Sequence, residues 1–338
     1  MRARWLTRIG RSAGAVTVAL GLFATAACSS DSDKNTDDKG GEKKPAASGA
    51  AFPRTVDHAM GETDIEEAPK RIVALDMTFV DAAFALEGNV VGYTTFTGPD
   101  EKLPPYFGED GEKYGAEAVE VGTLDEPSTE KILALKPDLI LSAKVRHEKL
   151  YKDLSGIAPT VFTETTGATW KDNLRLVGEA LGKEDLAEQK ITAFEKRAKT
   201  VGDSVRQQEG GNPTVSVVRF VDGPTRLYKE DTYVGVILND LGFGFPKDAQ
   251  GTGFNADISE EQIAKVDADD IFVTAYPDPS GTGEKNKQKF MANPLWKQLE
   301  GDVHEVSDIT WMIAVGLYGA ESVLDDVADT YGVDAARA

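Results

Sequence analysis

Residues 183–208 read KEDLAEQKITAFEKRAKTVGDSVRQQ, and this stretch decides the fold. It holds no Pro and one Gly, Gly202. Apolar residues stand at Leu186, Ile191, Phe194, Ala198, Val201 and Val205; from Ile191 on these step by three and four and so share one helical face. At 1.5 Å per residue the helix would span about 38 Å. Gly210-Gly211-Asn212-Pro213 stops it abruptly. Such a helix is either a surface element of one large domain or a strut between two lobes. A single strut limits the hinge motion that several connecting strands would allow.

The flanking sequence favours the strut. Arg71-Ile72-Val73-Ala74-Leu75 reads as a short buried strand, residues 79–86 as a helix, and Asn89-Val90-Val91-Gly92-Tyr93 as a second strand. This alternation implies α/β units with parallel strands. Two distant segments then repeat one pattern. Ser128-Thr129-Glu130-Lys131-Ile132 runs on to Pro137-Asp138-Leu139-Ile140-Leu141. Ser259-Glu260-Glu261-Gln262-Ile263 runs on to Asp269-Asp270-Ile271-Phe272-Val273. Each reads as a Ser-capped helix, a turn with Asp and a buried strand, and Ser259 with Gln262 fits a capping box. The expected organisation is an N-terminal α/β lobe at 53–181, a connecting helix at 182–209 and a C-terminal α/β lobe at 212–334.

The chain begins differently. Arg2, Arg4, Arg8 and Arg11 precede an apolar run over residues 13–24, too short to span a bilayer, which needs about 20 apolar residues. Thr25-Ala26-Ala27 then leads into Cys28, the one cysteine of the 338 residues. The segment resembles a bacterial lipobox, with Thr25 in place of the usual Leu. Residues 1–27 are therefore expected to be a lipoprotein signal peptide and Cys28 to carry the lipid, holding the protein on the outer face of the cytoplasmic membrane. Residues 28–52 carry few large apolar side chains and read as a flexible tether.

Composition narrows the function. The formal charge is −20, and the first 27 residues hold four Arg and no acid, so the remainder carries −24. That balance argues against a nucleic-acid partner. One cysteine permits no internal disulfide, and three histidines, His58, His147 and His304, are a poor supply for a metal site built from side chains. There is no Gly-x-Ser-x-Gly elbow, His-Glu-x-x-His pair or P-loop, and the pairs in Gly242-Phe243-Gly244 and Gly251-Thr252-Gly253 read as turns. A binding protein is expected rather than an enzyme.

In open α/β sheets ligands lie beyond the carboxyl ends of strands. In the N-terminal lobe that rule selects Thr78, Tyr106 and Arg146. In the C-terminal lobe it selects Arg219, Arg226, Tyr228, Tyr276 and Trp311. Arg219 is the sharpest candidate, since it ends the apolar run Val215 to Val218, where a charge is costly unless paired.

The order and spacing of residues 69–75, 121–122, 127–132, 135–140, 215–220 and Asn293-Pro294-Leu295-Trp296 resemble the helix-linked class of ABC-importer substrate-binding proteins. That class handles ferric siderophores, haem and cobalamin. The resemblance covers about residues 53–334 and implies two lobes on a helical backbone, with a surface Glu on each lobe docking on the permease. The matching residues are Glu130 and Glu261. It implies capture of a ferric siderophore, favouring Arg219 and Trp311, and delivery to a permease and its ATPase, by a monomer with no intrinsic cofactor and with Fe3+ held only through the chelate. A hydroxamate chelate is favoured, because Arg forks suit its oxygens and Tyr and Trp suit its apolar linkers. Haem or cobalamin is the alternative, with a direct metal-ion binder, hinted at by His147 beside Glu148, behind it.

Overall fold

A computed structural model describes residues 52–96 and 102–337. The expected signal peptide, Cys28 and the tether up to residue 51 lie outside the described residues. Among the described residues no helix is long and apolar enough to cross a membrane.

A hairpin of β1 (Arg54–His58) and β2 (Gly61–Ile65) precedes two five-stranded sheets. The first holds β3 (Ile72–Ala74), β4 (Val90–Thr95), β5 (Val119–Thr123), β6 (Leu139–Ala143) and β7 (Thr160–Thr163). They lie in the order β5-β4-β3-β6-β7 and are all parallel. The second holds β8 (Val215–Phe220), β9 (Thr225–Tyr228), β10 (Asn255–Ile258), β11 (Asp270–Ala275) and β12 (Asp302–Glu305), in the order β10-β9-β8-β11-β12. The two orders are the same, counted from each sheet's first strand. The second sheet departs from the parallel expectation at one edge, where β9 runs antiparallel to both β8 and β10. Residues 221–224 alone join β8 to β9, and a parallel return needs a crossover of a dozen residues or more.

The two Ser-x-Glu-x-Ile segments occupy equivalent places, between the third and fourth strand of each sheet. The first forms the α-helix Thr129–Leu135, capped by Ser128 Oγ accepting the Lys131 N–H at 3.3 Å. The second forms the 3-10 helix Glu260–Val266, with a capping box between Ser259 and Gln262. The Asp after each then brackets the start of the sheet's first strand. Asp138 accepts the N–H groups of Lys70 and Arg71, both at 2.8 Å. Asp269 accepts from the Thr214 N–H at 2.7 Å and its hydroxyl at 2.8 Å. The repeat in the sequence is thus a repeat of a structural device.

The helix Glu184–Glu209, 26 residues long, joins the two sheets. It buries Ala187, Ile191, Phe194, Ala198, Val201 and Val205, while Leu186 stays half-buried. Gly202 allows a close approach, because a Cβ there would sit 2.0 Å from the Leu241 carbonyl oxygen. Buried Arg197 on the same helix donates to the Ala335 carbonyl at 2.8 Å and pairs with Glu321 and Asp325. Glu321 and Asp325 belong to the C-terminal helix Leu317–Tyr331.

That C-terminal helix also reaches back to the first lobe, a tie that strand-and-helix alternation did not suggest. Asp81, on the helix Met77–Ala85, accepts the N–H groups of Leu317 at 2.6 Å and Tyr318 at 3.0 Å. Its carboxylate thus caps a helix from another part of the chain. Gly316 is needed there, because a Cβ would lie 2.2 Å from the Asp81 Cγ. The connecting helix is therefore not the one fastening between the lobes.

Candidate functional site

A cavity of about 360 Å³ opens between the lobes, within the range typical of small-molecule sites. Its first-lobe wall comes from strand ends: Asp76 just after β3, Phe96 after β4, Arg146 after β6, and Thr165 to Thr169 after β7. Its second-lobe wall includes Arg219 near the end of β8, Tyr228 at the end of β9, and Trp311, Met312 and Ile313 after β12. Asp231, Tyr233, Gly253 and Phe254 complete that side. The carboxyl-end rule holds in both lobes.

Each lobe presents one arginine gripped by one aspartate. Arg219 is a two-pronged donor to Asp308, Nε to Oδ2 at 2.7 Å and Nη2 to Oδ1 at 2.6 Å. Its Nη1 donates to the Tyr228 hydroxyl at 3.2 Å, and its guanidinium lies 5.2 Å from the Tyr276 ring centre. Both members of the ion pair are buried. Burial opposes the charge on Arg219, and its bonds to Asp308 and Tyr228 more than offset this. Burial pushes the Asp308 carboxyl up, and the guanidinium pulls it back. Across the cleft Arg146 Nε donates to Asp76 Oδ2 at 3.1 Å. Asp76 also caps the helix Met77–Ala85 through the Thr78 N–H at 3.1 Å. The Arg146 turn is anchored from behind by His147, which meets Ser142 Oγ at 2.7 Å and the Leu124 carbonyl at 2.6 Å. Burial lowers the His147 pKa, which favours the neutral ring.

Of the residues expected at the site, Arg219, Tyr228, Arg146 and Trp311 line the cavity. Trp311 does so without exposed surface. It is fully buried, donates Nε1–H to Asp326 at 2.7 Å and lies 4.8 Å from Phe272. It therefore packs the lobe and offers no open face to a ligand. Tyr276 sits one layer out, against Arg219 and 6.3 Å from Phe96 of the other lobe. Arg226 is paired with Arg219 in the β8–β9 register but does not line the cavity. Tyr106 and Thr78 do not line this cavity. The Tyr106 ring packs on Phe107, ring centres 4.4 Å apart, and Phe107 in turn meets Phe84 and Tyr318. Thr78 is buried in its helix, and Asp76, two residues earlier, holds the cavity position. Glu130 and Glu261 are both exposed at the starts of the two equivalent helices.

Sequence reasoning missed Asp76, Asp308, Phe254 and the run Thr165 to Thr169. The strand-end rule could have found three of these. Asp76 lies two residues after β3, Thr165 two after β7, and Asp308 three after β12. Phe254 gave no periodic signal, standing alone after a glycine-rich turn. The charge of the site is mixed. Arg146 and Arg219 are opposed by Asp76, Asp231 and Asp308, so the described residues make the cleft no more than neutral.

A wider depression of about 810 Å³ lies at the opposite end of the second lobe, at the amino ends of β8, β11 and β12. Three of its carboxylates are engaged in the fold. Asp269 holds Thr214, Asp270 meets His304 at 2.7 Å and Tyr331 at 2.5 Å, and Asp267 accepts the Glu300 and Gly301 N–H groups. The interlobe cavity, not this depression, has the convergent polar groups of a ligand site. None of the three histidines lines it, for His58 bonds within the first hairpin and His304 lies with Asp270.

Residues 72–301 match the family model described as periplasmic binding protein. The protein named "Probable siderophore-binding lipoprotein YfiY" of Bacillus subtilis is 40% identical over 293 residues, covering 82% of this chain and 87% of that one. The Escherichia coli protein named "Fe(3+) dicitrate-binding periplasmic protein FecB" is 27% identical, covering 83% and 91%. Staphylococcus aureus SirA, in its crystal structure complexed with staphyloferrin B, is 32% identical with a TM-score of 0.75, covering 83% of this chain and 99% of that one. With the fold, the helix between two lobes and the interlobe cavity all in agreement, the chain belongs to the periplasmic binding protein family, whose members here are substrate-binding proteins of transporters and not enzymes.

Proposed function

We propose that the interlobe cavity captures a ferric siderophore, of hydroxamate type by preference, and that the protein delivers it to an ABC permease and its ATPase for iron uptake. The observation that carries this reading is the pair of aspartate-held arginines on opposite walls. Arg219 commits three N–H groups to Asp308 and Tyr228, which leaves two of its five for ligand oxygens. The guanidinium is held in place before the ligand arrives, so little ordering cost falls on binding.

Charge balance supports the hydroxamate preference. Three hydroxamates neutralise Fe3+, whereas three catecholates leave a trianion. A cleft in which three carboxylates oppose two guanidiniums offers a trianion little attraction and accepts a neutral chelate readily. A carboxylate chelate is the second reading, favoured by the likeness to the protein named for ferric dicitrate and by the fit of Arg to carboxylate. Haem and a bare metal ion have weaker support, since no His lines the cavity and the Tyr228 hydroxyl is engaged by Arg219. Titrating intrinsic fluorescence with ferric hydroxamate, catecholate and carboxylate chelates tests the proposal. Saturable quenching strongest with the hydroxamate is expected; silence toward all three overturns it.

Glu130 and Glu261 are proposed as the permease contacts. They are exposed, acidic and placed alike on the two lobes, as a receptor bridging two halves of a permease requires. Cys28 is proposed as the lipid anchor that keeps a monomeric receptor outside the cytoplasmic membrane, in accord with relatives named as lipoproteins.

A further inference from the structure

The loop before β10 presents Phe254 to the cavity mouth. The residue is 59% exposed although it lines the cavity, and among the described residues its ring meets that of Tyr228 edge-on, ring centres 5.0 Å apart. Most large aromatics of the fold are buried, so an open ring at the mouth of a ligand site is a surface awaiting cover. The loop that carries it is held firmly. Glu230 accepts the Gly251 N–H at 2.6 Å, and Asp231 accepts the Gly253 N–H at 3.2 Å. Lys229 Nζ donates to the carbonyls of Gln250 at 3.4 Å and Thr252 at 3.1 Å. Three consecutive charged side chains thus grip the backbone at four points. Gly253, at φ +117°, takes a conformation that L side chains rarely adopt, which sets the direction in which Phe254 leaves the loop.

From this geometry we infer that Phe254 is a specificity-determining contact: its ring covers the apolar linkers joining the iron-binding groups of the chelate, and Lys229, Glu230 and Asp231 are positioning residues for it. The inference rests on the reading of the cleft as a ferric-chelate site. A rigid, outward aromatic with no polar atom cannot recognise iron-bound oxygens, but it can shed water onto methylene chains. It would therefore discriminate between chelates that share their iron coordination and differ in what connects it.

Two probes separate the terms. A linear ferric trihydroxamate with pentamethylene linkers and ferric tris(acetohydroxamate) present the same iron-oxygen set, with and without linkers. Affinities of full-length protein are measured by fluorescence or calorimetry. Phe254→Ala is expected to weaken the linked chelate by about tenfold or more while shifting the unlinked one less than about twofold. Phe254→Trp should restore the linked chelate, and Lys229→Met should give a smaller loss with the same linker dependence. Unfolding midpoints equal to wild type confirm that the exposed ring does not support the fold. If wild type binds the linked chelate and Phe254→Ala binds it equally, or if both probes weaken together, the linker role is overturned. If wild type binds no ferric chelate, the chelate reading falls and the inference falls with it.

Discussion

The Arg219–Asp308 pair invites a double-mutant cycle. Both side chains are almost wholly buried, 9% and 3% exposed, and share two bonds of 2.6–2.7 Å. Asp308→Ala leaves a buried guanidinium that cannot shed its proton, and loss of one partner from such a pair costs about 3–5 kcal/mol. With a urea m-value near 3 kcal/mol/M, the midpoint should fall by about 1–1.7 M. Arg219→Met should cost less, because the stranded Asp308 can take up a proton, and burial already pushes its carboxyl upward. The double variant Arg219→Met/Asp308→Leu removes both charges and should lie within about 1 kcal/mol of wild type. The assay is equilibrium urea unfolding of the four proteins at pH 7, followed by chelate titration of the folded double variant. That variant should be folded and bind at least tenfold more weakly, about 1.4 kcal/mol. Additive losses, or an Asp308→Ala protein within about 0.5 kcal/mol of wild type, would refute the reasoning.

Other outcomes follow from the same structure. Burial against the start of the C-terminal helix raises the Asp81 carboxyl from 3.8 to about 7, with the Leu317, Tyr318 and Gly319 N–H groups pulling the other way. Its folded pKa exceeds the unfolded one, so its titration favours the fold below about pH 4, and that contribution is lost as pH rises through 7. Wild-type stability measured relative to Asp81→Asn should therefore decline from pH 4 to 7, by at most about 4 kcal/mol; a flat difference would place the carboxyl in the ordinary range. Reversing Glu130 and Glu261 together to Lys should abolish iron uptake by cells while chelate affinity stays as in wild type, and unchanged uptake would remove them from the docking surface. Cys28→Ala should move the protein from the membrane to the soluble fraction on cell fractionation, which unaltered membrane retention would contradict.

The fold was legible because it rests on periodicities that survive in one sequence. The stripe from Ile191 to Val205 and the two Ser-x-Glu-x-Ile segments are local patterns, and each became the element expected of it, although the second is a 3-10 rather than an α-helix. The antiparallel edge at β9 could be suspected from Gly223-Pro224, since so short a turn allows nothing else. The site was half legible. A strand-end charge such as Arg219 announces itself against an apolar run, but its partner Asp308 lies 89 residues away and looks like any acid in an acidic chain. Tyr106 packs on Phe107 and does not line the cavity, and an aromatic in a loop carries no mark of whether it faces a ligand or its own core. The tie from Asp81 to Leu317 spans 236 residues and depends on Gly316 having no side chain, a relation no window along the chain contains.

That tie has a consequence for traffic at the membrane. With Arg197 on the connecting helix gripping the C-terminal helix, and Asp81 gripping it from the other lobe, a chelate-loaded molecule is expected, on the function proposed above, to differ little in outline from an empty one. A partner that senses only outline gains little differential affinity between the two. On the proposed function, empty copies would then occupy the same docking places as loaded ones, and receptor made in excess of its chelate is expected to compete with the import it would serve.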